Sequence, residues 1–143
     1  MAVTDLFRSQ HEAILDVAFT ISDMLDPGTL PANVSRVMES LAELDRRMTT
    51  HLLLEDQSLY PMLLCHPSGD VRGTAQCFVD EMGDLAEHFR QYRKHWMSIE
   101  QIMGSTEGFI RETREIFAAM SDRMDRENSD LYPLIDNSDV MPA

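Results

Sequence analysis

The chain has 143 residues, of which 43% are hydrophobic and 26% charged, and it carries a formal net charge of −13. That length and composition suit one folded domain with its own core and argue against a disordered chain. The excess of acid argues against nucleic acid or an anionic membrane surface as partner, because both would repel it.

No apolar run reaches the roughly 18 residues a membrane-spanning helix needs. The first residues, Met1-Ala2-Val3-Thr4-Asp5, lack a basic stretch followed by an apolar one, so no signal peptide is read and a cytoplasmic protein is expected. Turn signals at Asp26-Pro27-Gly28, His66-Pro67-Ser68-Gly69 and Gly104-Ser105 divide the chain into four segments. Thr4, Asp70 and Ser105 suit N-caps, and Pro31 suits a first helical turn. Strand-like alternation is absent, and apolar residues recur at spacings of three and four. The expectation is an all-α, antiparallel up-and-down four-helix bundle formed by residues 1–143, with helices over about 4–25, 31–65, 70–103 and 105–135.

The inner faces can be taken in order. The first helix gives Phe7, His11, Ile14, Ala18, Ile21 and Leu25. The second gives Leu41, Leu44, Met48, His51 and Glu55. The third gives Leu85, His88, Tyr92, His95, Ile99 and Ile102. The fourth gives Ile116, Met120, Arg123, Glu127 and then Leu131 or Leu134. Each helix thus sets a histidine, glutamate or arginine where a core residue belongs, and such groups are seldom buried without partners. Counting about 1.5 Å per residue along antiparallel helices brings His11, His51, Glu55, His88, Arg123 and Glu127 to one layer. His95, two turns from His88, falls in another.

A repeat sharpens that layer. Glu55-Asp56-Gln57-Ser58-Leu59-Tyr60-Pro61 returns 72 positions later as Glu127-Asn128-Ser129-Asp130-Leu131-Tyr132-Pro133. His51 stands four residues before the first glutamate and Arg123 four before the second. Histidine and glutamate at that spacing share a helix face and can ligate one metal. A guanidinium cannot, since it has no lone pair to give; Arg123 can instead pair with Glu127 or reach across to Glu55.

A lone histidine on helix one, His-x-x-x-Glu followed by Leu-Tyr-Pro on helix two, a lone histidine on helix three and x-x-x-Glu with Leu-Tyr-Pro on helix four resemble the hemerythrin-like (HHE) cation-binding domains. The likeness runs through essentially the whole chain. It implies a four-helix bundle around a non-haem di-iron centre, with His11, His51, Glu55, His88 and Glu127 as metal ligands and the two glutamates bridging. It also implies reversible dioxygen binding, oxygen or redox sensing, iron handling or a response to nitric oxide. Arg123 stands where the pattern has a fourth-helix histidine, and Tyr92 and Asp84 flank His88 where a second third-helix ligand would come.

Three states stay open on these residues: a dinuclear iron centre, a single or exchangeable metal, and a metal-free layer locked by Arg123. The leading function is a non-haem iron protein that senses or buffers a diatomic ligand, dioxygen or nitric oxide, or redox state. The alternative is a metal-free regulatory module that presents a helical face to a protein partner. Catalysis is not expected, because no nucleophilic triad, Walker or dinucleotide motif occurs. The remaining residues read as structure. His66 belongs to the surface, and the eleven methionines are core filler. Cys65 and Cys77 are reduced, partly buried thiols, and Tyr60-Pro61 and Tyr132-Pro133 kink their helices.

Overall fold

A computed structural model describes residues 4–137; the N-terminal stretch read above falls partly outside them, at residues 1–3. The chain is all-helical among the described residues. It runs α1 (Asp5–Ser22), α2 (Leu30–Leu54), a π-helical segment (Glu55–Leu59), α3 (Tyr60–Leu64), α4 (Gly69–Met82), α5 (Leu85–His95), α6 (Ile99–Gly104), α7 (Thr106–Arg126), a second π-helical segment (Glu127–Leu131) and α8 (Tyr132–Asp136). Helix α1 packs on α2 and α7, while α5 packs on α2 and α7, which closes the ring of a four-rod bundle.

The stripes of three rods emerge as their spacing demands. Phe7, His11, Ile14, Ala18, Ile21 and Leu25 are buried, as are Leu41, Leu44, Met48, His51 and Glu55. In the fourth rod Ile116, Met120, Arg123, Glu127 and Leu131 are buried, so Leu131 rather than Leu134 takes the inner position. Pro31 lies in the first turn of α2, where its missing N–H leaves no intrahelical bond unmade. Thr4 and Ser105 occupy N-cap positions without side-chain caps, and Asp70 sits inside the first turn of α4. The Thr4 hydroxyl instead donates to Asp136 at 2.8 Å, tying the start of α1 to α8. A full capping box forms at Ser98 and Gln101.

The third rod departs from expectation. In place of one helix over 70–103 it breaks at Gly83-Asp84 and again between His95 and Ile99. A Cβ on Gly83 would meet the Val79 carbonyl oxygen at 2.4 Å, so the sharp close of α4 requires glycine. Beyond that break α5 is rotated so that Leu85, Phe89, Tyr92 and Trp96 face inward. His88, His95 and Ile99 face out. Both stripes share Leu85 and Tyr92, and apolar area decides between them: burying Phe89 and Trp96 gains several kcal/mol that two imidazoles would not return.

Each long polar-ended rod also carries a π segment. Tyr60 N–H bonds to the Glu55 carbonyl and Tyr132 N–H to that of Glu127, each five residues back. Pro61 and Pro133 follow immediately and cannot supply the next α-type N–H, so the hydrogen-bond register widens by one residue just ahead of them. The expected kink thus takes the form of a widened turn that opens with a glutamate in both copies. Cys65 and Cys77 are free thiols, exposed rather than partly buried.

Two apolar clusters fill the bundle. One extends from Ile14 and Met48 through Phe109 and Met120; the other gathers Phe7, Leu59, Leu63, Phe78, Leu131 and Ile135. A layer of buried polar side chains lies between them.

Candidate metal centre

His11 from α1, His51 at the end of α2, and Glu55 and Glu127 at the heads of the two π segments meet in that layer. All four are at most 1% exposed. One nitrogen or oxygen from each lies within 4.8 Å of the others. His11 Nε2 is 3.0 Å from His51 Nε2 and 3.1 Å from Glu127 Oε1, and His51 Nε2 is 3.0 Å from Glu55 Oε1.

Hydrogen bonding around the rim decides where the protons sit. His11 Nδ1 lies 2.9 Å from Asn128 Oδ1, and His51 Nδ1 lies 2.6 Å from Gln10 Oε1. Both partners are amide oxygens, which accept only, so each neutral imidazole carries its proton on Nδ1. The two Nε2 lone pairs then point at each other. Such outer partners fix ring orientation and raise the basicity of a metal-binding nitrogen.

The carboxylates are held in the same way. Tyr132 OH donates to Glu55 Oε2 and Tyr60 OH to Glu127 Oε2, both at 2.6 Å. Each phenol comes from the opposite copy of the repeat, so the two halves cross-brace one another. Burial, then the charges of Glu127 and Glu55, push both hydroxyls above the ordinary phenol range, which keeps them as donors. Glu127 Oε1 is buried and accepts no hydrogen bond.

Two imidazole nitrogens and two carboxylate oxygens therefore converge; Glu55 Oε1 accepts from Arg123, and Glu127 Oε1 has no hydrogen-bond donor. Leaving Glu127 Oε1 unpartnered costs about 1–3 kcal/mol; a cation among the four atoms would satisfy it. Nitrogen and carboxylate donors in this number fit a first-row divalent ion. The charge state is consistent with this. Burial and the neighbouring His11 lower His51 to about 4, so its ring is neutral at physiological pH. Burial and Glu55 raise the Glu127 carboxyl, and the neighbouring His11 and Arg123 only partly offset them.

Arg123, 2% exposed, closes one side. Its Nε donates to Glu127 Oε2 at 3.2 Å, and its Nη2 donates to Glu55 Oε1 at 3.3 Å and Asp56 Oδ1 at 2.7 Å. Its Nη1 donates to the Met82 carbonyl at 3.2 Å, the last residue of α4. Both partners expected for it, Glu127 and Glu55, are thus engaged. Asp56 also lines a groove of about 500 Å³ together with Leu52, Gly83, Phe89 and Arg93, so the arginine side of the layer adjoins solvent.

Of the five side chains expected as ligands, four come together and one does not. His88 is largely exposed and pairs with Asp84 at 3.3 Å on the outer face of α5. The rotation of α5 after Gly83 turns it away. His95 is likewise outside, against Glu112, and Tyr92 is buried with its hydroxyl 2.6 Å from Thr113 Oγ1. Sequence reasoning did not assign Gln10, Asn128 or the two tyrosines to the centre. Their signal was position: Gln10 and Asn128 adjoin His11 and Glu127, and the tyrosines follow the glutamates at the same offset in both copies.

A helical bundle with buried histidines and glutamates converging between two apolar clusters defines a cation-binding bundle protein. The family model of the hemerythrin HHE cation binding domain matches residues 2–135, and the chain belongs to that family. No curated protein and no solved structure gives a significant match. No helix among the described residues is long and apolar enough to cross a membrane.

Proposed function

We propose that this protein is a non-haem iron-binding member of its family, with His11, His51, Glu55 and Glu127 as ligands, and that it senses or buffers oxygen, nitric oxide or redox state. The observation that carries the reading is the convergence of four metal-ligating side chains on one buried point, with Glu127 Oε1 left without a hydrogen-bond donor. Iron held there supplies redox chemistry and affinity for a diatomic ligand. The side chains do the rest. Gln10 and Asn128 fix the imidazole planes, Tyr60 and Tyr132 fix the carboxylates, and the two apolar clusters exclude water above and below. The crossed tyrosine bonds support a sensing role, because a change in charge at the centre is felt by both π segments together.

Metal analysis after purification without chelator, with absorption spectra under nitrogen, air and nitric oxide, tests the proposal. Bound iron and a spectrum that responds to one of the gases support it. A second reading is favoured by the four contacts of Arg123: a metal-free regulatory bundle that offers a helical face to a protein partner. Iron-free protein whose melting temperature ignores both chelator and added iron decides for that reading.

A further inference from the structure

We infer that the centre holds one divalent ion, not two, and that the Arg123 guanidinium stands permanently where a second cation would be. The inference rests on the cation-binding reading above and adds a number and a cause to it.

Charge counting comes first. Glu55, Glu127 and Asp56 bring three negative charges to the layer when ionised, and Arg123 returns one positive charge through direct contact with all three. The remainder matches one divalent ion. A second would leave excess positive charge beside a guanidinium that cannot give up its proton, in a layer where uncompensated charge costs several kcal/mol.

Donor counting agrees. His11, His51, Glu55 and Glu127 form the one group of three or more metal-ligating side chains close enough to share an ion among the described residues. Arg123 already occupies the acceptors on its side: Glu127 Oε2, Asp56 Oδ1 and the Met82 carbonyl accept from it, and it shares Glu55 Oε1 with the histidine side.

The backbone shows how that side was built. The Met82 carbonyl reaches Arg123 because α4 stops at Gly83, and the same stop turns His88 out to the surface. One break therefore removes an imidazole from the layer and provides a carbonyl that suits a guanidinium. In the repeat, His51 and Arg123 hold equivalent places. The first copy offers a lone pair to an ion, and the second brings a cation of its own.

Anaerobic reconstitution with excess ferrous iron, removal of loose metal and determination of the iron-to-protein ratio test this. Wild type is expected to hold one ion, and its ferric form to give the paramagnetic resonance signal of an isolated high-spin ion. Arg123→Lys, which keeps the charge, is expected to stay at one. Arg123→His, which removes the fixed charge and adds an imidazole, is expected to take up a second ion, with circular dichroism confirming the fold of both variants. A wild-type ratio of two, or a spin-coupled silent pair, overturns the inference and leaves cation binding standing. A ratio of zero overturns both. A ratio of one in wild type and in a folded Arg123→His variant overturns the role given to the arginine.

Discussion

The two copies of the Glu-x-x-x-Leu-Tyr-Pro peptide share a backbone and differ in chemistry. Each begins a π segment with a buried glutamate, sends a tyrosine to the other copy's carboxylate, and ends at a proline. Four residues earlier one copy has His51 and the other Arg123. Both side chains are buried, but the histidine ring is fixed by Gln10, whereas the guanidinium is held by Glu55, Asp56, Glu127 and the Met82 carbonyl. The difference teaches that a repeated scaffold can carry two answers to one electrostatic problem. Buried carboxylates need positive charge: the second copy encodes it in Arg123, and under the proposed function the first draws it from a bound ion.

The largest effect should come from removing the encoded charge. Arg123→Met keeps bulk but strands Glu55, Asp56 and Glu127 together, and breaking such a buried pair costs about 3–5 kcal/mol. Urea melts in chelator should register that loss, and added divalent metal should recover part of it. If the variant in chelator is as stable as wild type, the two copies do not share a charge problem.

Acid should weaken the histidine copy next. The unfolded imidazole takes a proton below about 6.5, whereas burial holds folded His51 to about 4. The unfolded chain then binds more protons across that window. Its contribution is therefore intact above pH 6.5 and lost as pH falls toward 4, by up to about 3 kcal/mol in metal-free protein. Glu127 acts with the opposite sign, since its folded carboxyl holds a proton more tightly than the unfolded one. Glu127→Gln should thus steepen the acid loss measured by melts between pH 7 and 4.

Gly83→Ala sharpens the comparison from the backbone. Its methyl group would meet the Val79 carbonyl, so α4 must shift and draw the Met82 carbonyl from Arg123, at a cost of about 1–3 kcal/mol. Thermal melts in chelator should show it. Gln10→Ala should leave the fold intact and lower metal affinity by about 10–100-fold, as outer partners of ligating histidines commonly do, measured by chelator competition. The smallest effect belongs to His88→Ala. Stability should stay within about 0.5 kcal/mol and metal affinity should not change, because the ring lies on the outer face of α5.

Legibility in the sequence followed the regularity of the helices. In α1, α2 and α7 an unbroken period carried His11, His51, Glu55, Arg123 and Glu127 to the interior where spacing put them. The third rod defeated the same reasoning at Gly83, since a break resets helix rotation and period alone carries no information across it. Beyond the break two stripes competed, and the one with Phe89 and Trp96 won on apolar area. The widened turns were hidden for another reason. Proline announces a lost N–H but not whether the helix bends, ends or slips register. The tyrosines' reach into the layer depended on that choice, so their part in the centre could be seen in the fold and not in the spacing.

The crossed tyrosines bear on how the molecule comes together. Tyr60 finds its acceptor 67 residues further along the chain, and Tyr132 finds its acceptor 77 residues back. Neither carboxylate takes its tyrosine from its own helical hairpin. Contacts between residues so distant in sequence form only after long loops have closed, which places them late in folding. The first half of the chain carries three of the four proposed ligands, His11, His51 and Glu55, and the second half only Glu127, so neither half holds the full set. Metal uptake, followed in time during refolding, should therefore report the docking of the two halves and not the earlier winding of their helices.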